Sequence, residues 1–136
     1  MRRLSLWLPV LIYMLVIFGL SAQSNPLPEV TAHVWDKLLH TSEYGGLAVL
    51  LVRALRGEGL SWGVVIALAT VIASLYGMSD EIHQSFVPGR DAAVGDWVAD
   101  TTGGLIGSLV ARRAASWMTQ RRCVQPAVGD RVEPAS

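Results

Sequence analysis

The sequence predicts an all-α integral membrane protein with four transmembrane helices and both termini in the cytoplasm. Three observations carry this. Of 136 residues, 51% are hydrophobic and only 16% charged, well below the roughly 25% charged usage of soluble domains. Long runs at about 4–21, 34–55, 60–78 and 92–111 are separated by turn residues, and about 20 helical residues suffice to cross a hydrocarbon core. The basic residues gather at alternating ends of those runs. By length the chain is one domain.

The first run, Leu4 to Ser21, is eighteen residues without a charge, preceded by Met1-Arg2-Arg3. Gly19 and Ser21 would suit a leader cleavage point, but the run exceeds the roughly 7–15 apolar residues of a signal core, so it reads as a retained helix. Pro9 is placed in its first turns, where a missing backbone donor costs least. Gln23 to Thr31 is a loop by its turn residues. The second helix, about Val34 to Leu55, is polar on one side in its first half. At about 100° per residue, Asp36, Lys37, His40, Glu43 and Tyr44 share one stripe. Gly45-Gly46 follow as close-packing positions.

Glu58-Gly59 make a short turn. The third run begins near Trp62 and continues as helix through Tyr76, Asp80, Glu81, His83 and Gln84, breaking at Pro88-Gly89. The fourth carries Asp96 and Asp100 on one face with Gly103 and Gly107, a small-xxx-small pattern that aims the acids at protein rather than lipid. It closes at Arg112-Arg113. Residues 114–136 are assigned to a cytoplasmic tail, polar and Pro-containing from about Arg121 and expected to be disordered.

Orientation follows from charge. Arg2, Arg3, Arg53, Arg56, Arg112, Arg113, Arg121, Arg122 and Arg131 fall on one side, nine of the eleven basic residues, leaving Lys37 and Arg90 opposite. The positive-inside rule sets both termini in the cytoplasm and predicts a multi-pass protein of the inner (plasma) membrane. Trp7, Trp35, Trp62 and Trp117 sit near run ends, as an aromatic belt would. The acids segregate to the outer half. Cys123 is the sole cysteine, which excludes an internal disulfide or a thiolate metal set. No basic cluster is interleaved with aromatics, so nucleic acid is not an expected partner.

Three helix ends therefore bring polar side chains to one outer level. Asp36, Lys37, His40, Glu43 and Tyr44 come from the second helix, Asp80, Glu81, His83 and Gln84 from the third. Arg90, Asp91, Asp96 and Asp100 come from the last loop and helix. Each charge at a span centre costs roughly 2.5–3.5 kcal/mol by insertion scales, so pairing or function is required. Four readings stay open. The residues form a mutually satisfied ion-pair network that supports a partner membrane protein. They bind a hydrophobic or anionic ligand. They perform acid–base chemistry on a lipid-linked substrate, with Glu43, Asp80, Glu81, His83 and Asp96 as candidates and Lys37 and Arg90 holding a phosphate. Or His40, Glu43 and His83 hold a divalent metal, although the spacing matches no specific metal signature. No cofactor is predicted outright.

These motifs are recognisable together. Asp36-Lys37-x-x-His40 with Tyr44, then Tyr76-Gly77-x-x-Asp80-Glu81-x-His83-Gln84, Pro88-x-Arg90, and Asp96-x-x-x-Asp100 with Gly103 resemble the VanZ-like membrane protein family, over roughly Leu4 to Arg113. Where the family pattern often has asparagine, this chain has Asp100. The family takes its name from an accessory glycopeptide-resistance protein associated with low-level teicoplanin resistance. The resemblance implies a small helical membrane protein at the cell envelope, and it supplies no reaction. The expectation is an outward-facing polar pocket that recognises an anionic or lipid-linked envelope ligand.

Overall fold

A computed structural model describes the backbone of residues 1–24, 29–90 and 92–124, and the side chains of all of these except 29–36 and 122–124. They form four helices: α1 (Arg2–Ser21), α2 (Glu29–Gly57), α3 (Trp62–Gln84) and α4 (Val94–Val124). No strand occurs among the described residues.

α2 is the hub. It packs against α1, α3 and α4, whereas α1 touches only α2 and α3 among the described residues. The apolar core joins Val10 and Ile17 of α1, Tyr44, Leu47, Leu51, Val52 and Leu55 of α2, and Val65, Ala69 and Ala73 of α3. α4 contributes glycine instead of bulk. A Cβ built at Gly103 would run into the backbone of Thr41, and one at Gly107 into the backbone of Gly45. The two helices therefore approach at backbone distance, which a stripe of small residues permits.

The surface is inverted relative to a soluble protein. α1 exposes Leu4, Leu8, Leu11, Ile12, Leu15 and Val16; α3 exposes Val64, Leu68, Val71, Leu75 and Ile82; α4 exposes Val98, Leu105, Ile106, Leu109 and Val110. Asp100 and Ser108 meanwhile are fully buried. Soluble monomers rarely show contiguous apolar patches beyond a few hundred Å², and polar groups turned inward with apolar groups outward is the arrangement lipid demands. α1 and α3 are long and apolar enough to cross a membrane by length and composition. The chain is a membrane protein.

The connections are short and locally determined. At the α2–α3 turn Gly59 takes φ +86°, in the left-handed region that glycine occupies without a Cβ penalty. Glu58 in this turn holds the start of α1, accepting from Trp7 Nε1 at 3.2 Å and pairing with Arg3 at 3.2 Å. Arg56 bonds the Leu60 carbonyl and stacks over Trp62 at 4.4 Å. After α3, Gly89 at φ +80° closes the turn, in which the Arg90 amide donates to Val87 O.

Three sequence expectations need correction. α1 already begins at Arg2, so Pro9 lies inside the helix, past its first turn, and removes the donor that the Ser5 carbonyl would otherwise accept. α2 begins at Glu29, earlier than Val34, so Glu29 to Thr31 are helical rather than loop. α4 does not stop at Arg113 but continues to Val124. Ala114-Ala115-Ser116-Trp117-Met118-Thr119-Gln120 contains neither Gly nor Pro, and a pair of arginines ends an apolar run without ending a helix. The rest of the expected tail, 125–136, lies outside the described residues, as does the loop at 25–28.

Candidate polar site at the junction of three helices

The site grows from the α2–α4 interface. Asp96 and Asp100 are one turn apart on α4 and face α2, where Lys37 and His40 are one turn apart in their own helix. The register pairs them: Lys37 Nζ donates to Asp96 Oδ1 at 2.7 Å, and the His40 ring nitrogen Nδ1 lies 2.8 Å from Asp100 Oδ1. The first pair is half-open, with the Lys37 side chain 47% exposed and Asp96 9%. The second is closed, at 6% and 0%.

α3 supplies the third wall. Glu81 Oε1 lies 4.0 Å from His40 Nδ1. Its other oxygen, Oε2, accepts the Ala93 backbone N–H at 2.9 Å, immediately before α4 begins, an orphan donor that a helix start leaves over. Asp80 accepts from the Gln84 amide at 3.1 Å, one turn on. Tyr44 stacks beside His40, with ring centroids 6.5 Å apart, and tilts toward Tyr76 at 6.1 Å. Tyr76 in turn donates to the Met14 carbonyl of α1 at 2.6 Å.

Space for the acids comes from Gly77, where a Cβ would lie 2.6 Å from Asp100 Oδ2. Trp97 Nε1 donates to the Ser74 carbonyl at 3.0 Å, and Ser74 Oγ lies 2.8 Å from Thr101 Oγ1. These contacts fix the register of α3 against α4. Neither Gly77's role nor the Ala93 amide was foreseen from the sequence. The glycine's position one turn before the Asp80-Glu81 pair was the available signal.

Among the buried described side chains acids outnumber bases, with Asp96 paired to the half-exposed Lys37. Four carboxyl groups are buried, Asp80, Glu81, Asp96 and Asp100, together with one imidazole, His40. Asp80 Oδ1, Glu81 Oε1, Asp100 Oδ2 and the Tyr44 hydroxyl are buried with no hydrogen-bond partner among the described residues. Glu43 is half-buried at the edge, within electrostatic reach of His40, Asp80, Asp100 and Arg90.

The residues expected in one pocket thus divide. Lys37, His40, Tyr44, Asp80, Glu81, Gln84, Asp96 and Asp100 come together, with Glu43 beside them. His83 does not join: it turns to α1 and stacks on Phe18 at 4.2 Å. Glu43 and His83 are absent from the described residues that could share a metal with His40; that set is His40, Glu81 and Asp100. The Asp36 side chain and Asp91 lie outside the described residues. The centre is packed rather than open. A groove of about 270 Å³ lies alongside it, lined by Met78, Glu81, Ile82, Ser85, Ala92, Ala93, Val94 and Trp97. Of the predicted pocket residues that are described, only Glu81 reaches it.

Compared with known proteins, residues 5–115 match the family model described as VanZ/LLP1. No curated protein and no solved structure gives a significant match.

Proposed function

The chain belongs to the VanZ/LLP1 family, and from that premise we propose that it is a four-span plasma-membrane protein that binds a lipid-linked anionic ligand of the cell envelope beside Glu81. In this reading α2 and α4 cross the bilayer with α1 and α3. The polar content of α2 is no obstacle, because α2 packs against all three other helices and turns that content toward them. Nine of eleven basic residues then lie on the cytoplasmic side with both termini, and the polar junction lies in the outer half.

The observation that carries the binding role is the groove between the end of α3 and the start of α4. Its wall is apolar (Met78, Ile82, Val94, Trp97), it opens among exposed residues, and among the described residues its one charged group is Glu81. At about 270 Å³ it is near the lower limit of ligand sites, roughly 300–1,000 Å³, the size for a segment of hydrocarbon chain rather than a whole head group. The head group would lie outside the groove, and the described cations of the proposed outer side, the half-exposed Lys37 and the partly exposed Arg90, suit a phosphate. A link to glycopeptide resistance would run through such a ligand.

The test is lipid retention. Protein in nanodiscs of zwitterionic lipid, doped with a polyprenyl phosphate or with phosphatidylglycerol, is released into native mass spectrometry. The wild type is expected to retain polyprenyl phosphate selectively. Val94→Trp, which fills the groove, should reduce retention several-fold, and Arg90→Ala should reduce the preference for the phosphate. Equal retention of zwitterionic and anionic lipids by the wild type would overturn the reading.

A further inference from the structure

We propose that His40, Glu81 and Asp100 form a binding site for one divalent transition-metal ion, of the zinc or manganese type. The three come from three different helices, all are buried, and each offers a ligand atom within 4.8 Å of the other two. The site stands on its own geometry, whether or not the neighbouring groove takes a lipid.

Two of the three separations can be compared with those of donors around an ion. Two ligand atoms each about 2.1 Å from one metal lie about 3.0 Å apart at a right angle, about 3.4 Å at the tetrahedral angle and at most about 4.2 Å. His40 Nδ1 and Asp100 Oδ1 are 2.8 Å apart, and His40 Nδ1 and Glu81 Oε1 are 4.0 Å apart. Both fall near or within that span. Glu81 needs to close by about 0.6 Å to reach the tetrahedral separation, a movement that its Oε2 contact with the Ala93 amide would have to follow.

A hydrogen bond between His40 and Asp100 accounts for one pair and leaves the rest unexplained. Glu81 Oε1 faces the same imidazole and has no hydrogen-bond partner among the described residues, and the second oxygen of Asp100 is in the same condition. The neighbouring Asp80 Oδ1 and Tyr44 hydroxyl are buried and equally unsatisfied. A buried polar atom in that state costs on the order of 1–3 kcal/mol, more when charged. With Asp96 held by Lys37, three buried carboxyl groups, Asp80, Glu81 and Asp100, remain around one imidazole, and a divalent ion supplies two units of positive charge where a water supplies none. One nitrogen and two carboxylate oxygens are borderline-to-hard donors, which suits zinc, manganese or ferrous iron and disfavours the thiolate-seeking ions. The backbone contact of Glu81 Oε2 with the Ala93 amide would orient that carboxylate from outside the coordination sphere.

Purified full-length protein in detergent, stripped with chelator and re-equilibrated, is titrated with Zn²⁺, Mn²⁺ and Co²⁺. The expectation is one ion per chain, a visible Co²⁺ d–d spectrum displaced by Zn²⁺, and a rise in thermal midpoint with metal. His40→Ala and Asp100→Asn, checked for helicity and monodispersity, should weaken binding at least tenfold, while Asp96→Asn at the neighbouring pair should not. Should the His40 and Asp100 variants fail to fold, Glu81→Gln and the wild-type Co²⁺ spectrum decide. No stoichiometric ion in the wild type, or unchanged binding in a folded His40→Ala, overturns the site. Polyprenyl phosphate retention is measured in parallel: its absence with ion binding intact would defeat the lipid reading and leave the metal site standing.

Discussion

Gly77 on α3 and Asp100 on α4 fit together as a socket and its occupant: a Cβ at Gly77 would lie 2.6 Å from Asp100 Oδ2 and 2.8 Å from its Cβ. The clash involves the root of the aspartate side chain as well as its tip, so a rotamer change does not relieve it. Gly77→Ala is therefore expected to push α3 from α4 and to destabilise by about 1–3 kcal/mol, the range of overpacking a closed core. Thermal unfolding in detergent measures the cost, and metal titration of the same variant should show weakened binding through displaced Asp100.

The α2–α4 seam predicts a sharper contrast among glycines. Gly103→Ala and Gly107→Ala set a methyl group against the backbone of Thr41 and Gly45, which can yield only by separating the helices. Each should cost about 2 kcal/mol or more. At Gly63 an added Cβ meets nothing within 4 Å, so Gly63→Ala should be neutral or stabilising by up to about 1 kcal/mol through better helix propensity. Equal thermal midpoints for all three variants would contradict the close approach of α2 and α4.

Lys37 and Asp96 make a pair whose members are unequal. Removing the lysine strands a carboxylate that is 9% exposed, whereas removing the acid releases an ammonium that is 47% exposed and can hydrate. Lys37→Ala should therefore destabilise by on the order of 1–2 kcal/mol, discounted for the open side of the pair, and Asp96→Asn by less. The double variant should recover part of the Lys37→Ala loss. A double-mutant cycle read by thermal midpoint checks the coupling.

The proposed membrane orientation predicts accessibility. In a Cys123→Ser background, Ser85→Cys at the end of α3 should react with an impermeant maleimide added outside intact cells. Ser61→Cys, exposed at the start of α3, should react only after the membrane is opened. The reverse pattern would invert the topology and move the polar junction to the cytoplasmic half.

How much of this was legible in the sequence varied with the range of the interaction. Local periodicity is enough to bring Asp96, Asp100, Gly103 and Gly107 to one face, and to set Lys37, His40 and Tyr44 in a stripe; all but Tyr44, which tilts toward Tyr76 of α3, meet at the α2–α4 seam. The same periodicity, applied to α3, separates His83 from Glu81: two residues are about 200° of turn, and His83 indeed leaves the cluster for Phe18. Grouping them by residue type was the error. Gln84, four residues from Asp80, stays on its face and donates to it. The continuation of α4 to Val124 is hidden because a charge pair that ends an apolar run does not end the helix. His40, Glu81 and Asp100 are all among the residues expected at one level, but which three of them meet is decided only by the packing of three helices.

Glu81 has its two oxygens in different employments: Oε1 faces His40, and Oε2 holds the amide that precedes α4. Both hang from one carbon atom, so the carboxylate cannot turn toward the imidazole without tugging the first residues of α4, nor can that segment shift without dragging the carboxylate. The outer rim of the groove and the buried centre are thereby mechanically joined through a single planar group. A ligand in the groove and an ion at the centre, bound as proposed, would each act on the other through that group, and both contacts are lost if the side chain is shortened by a methylene.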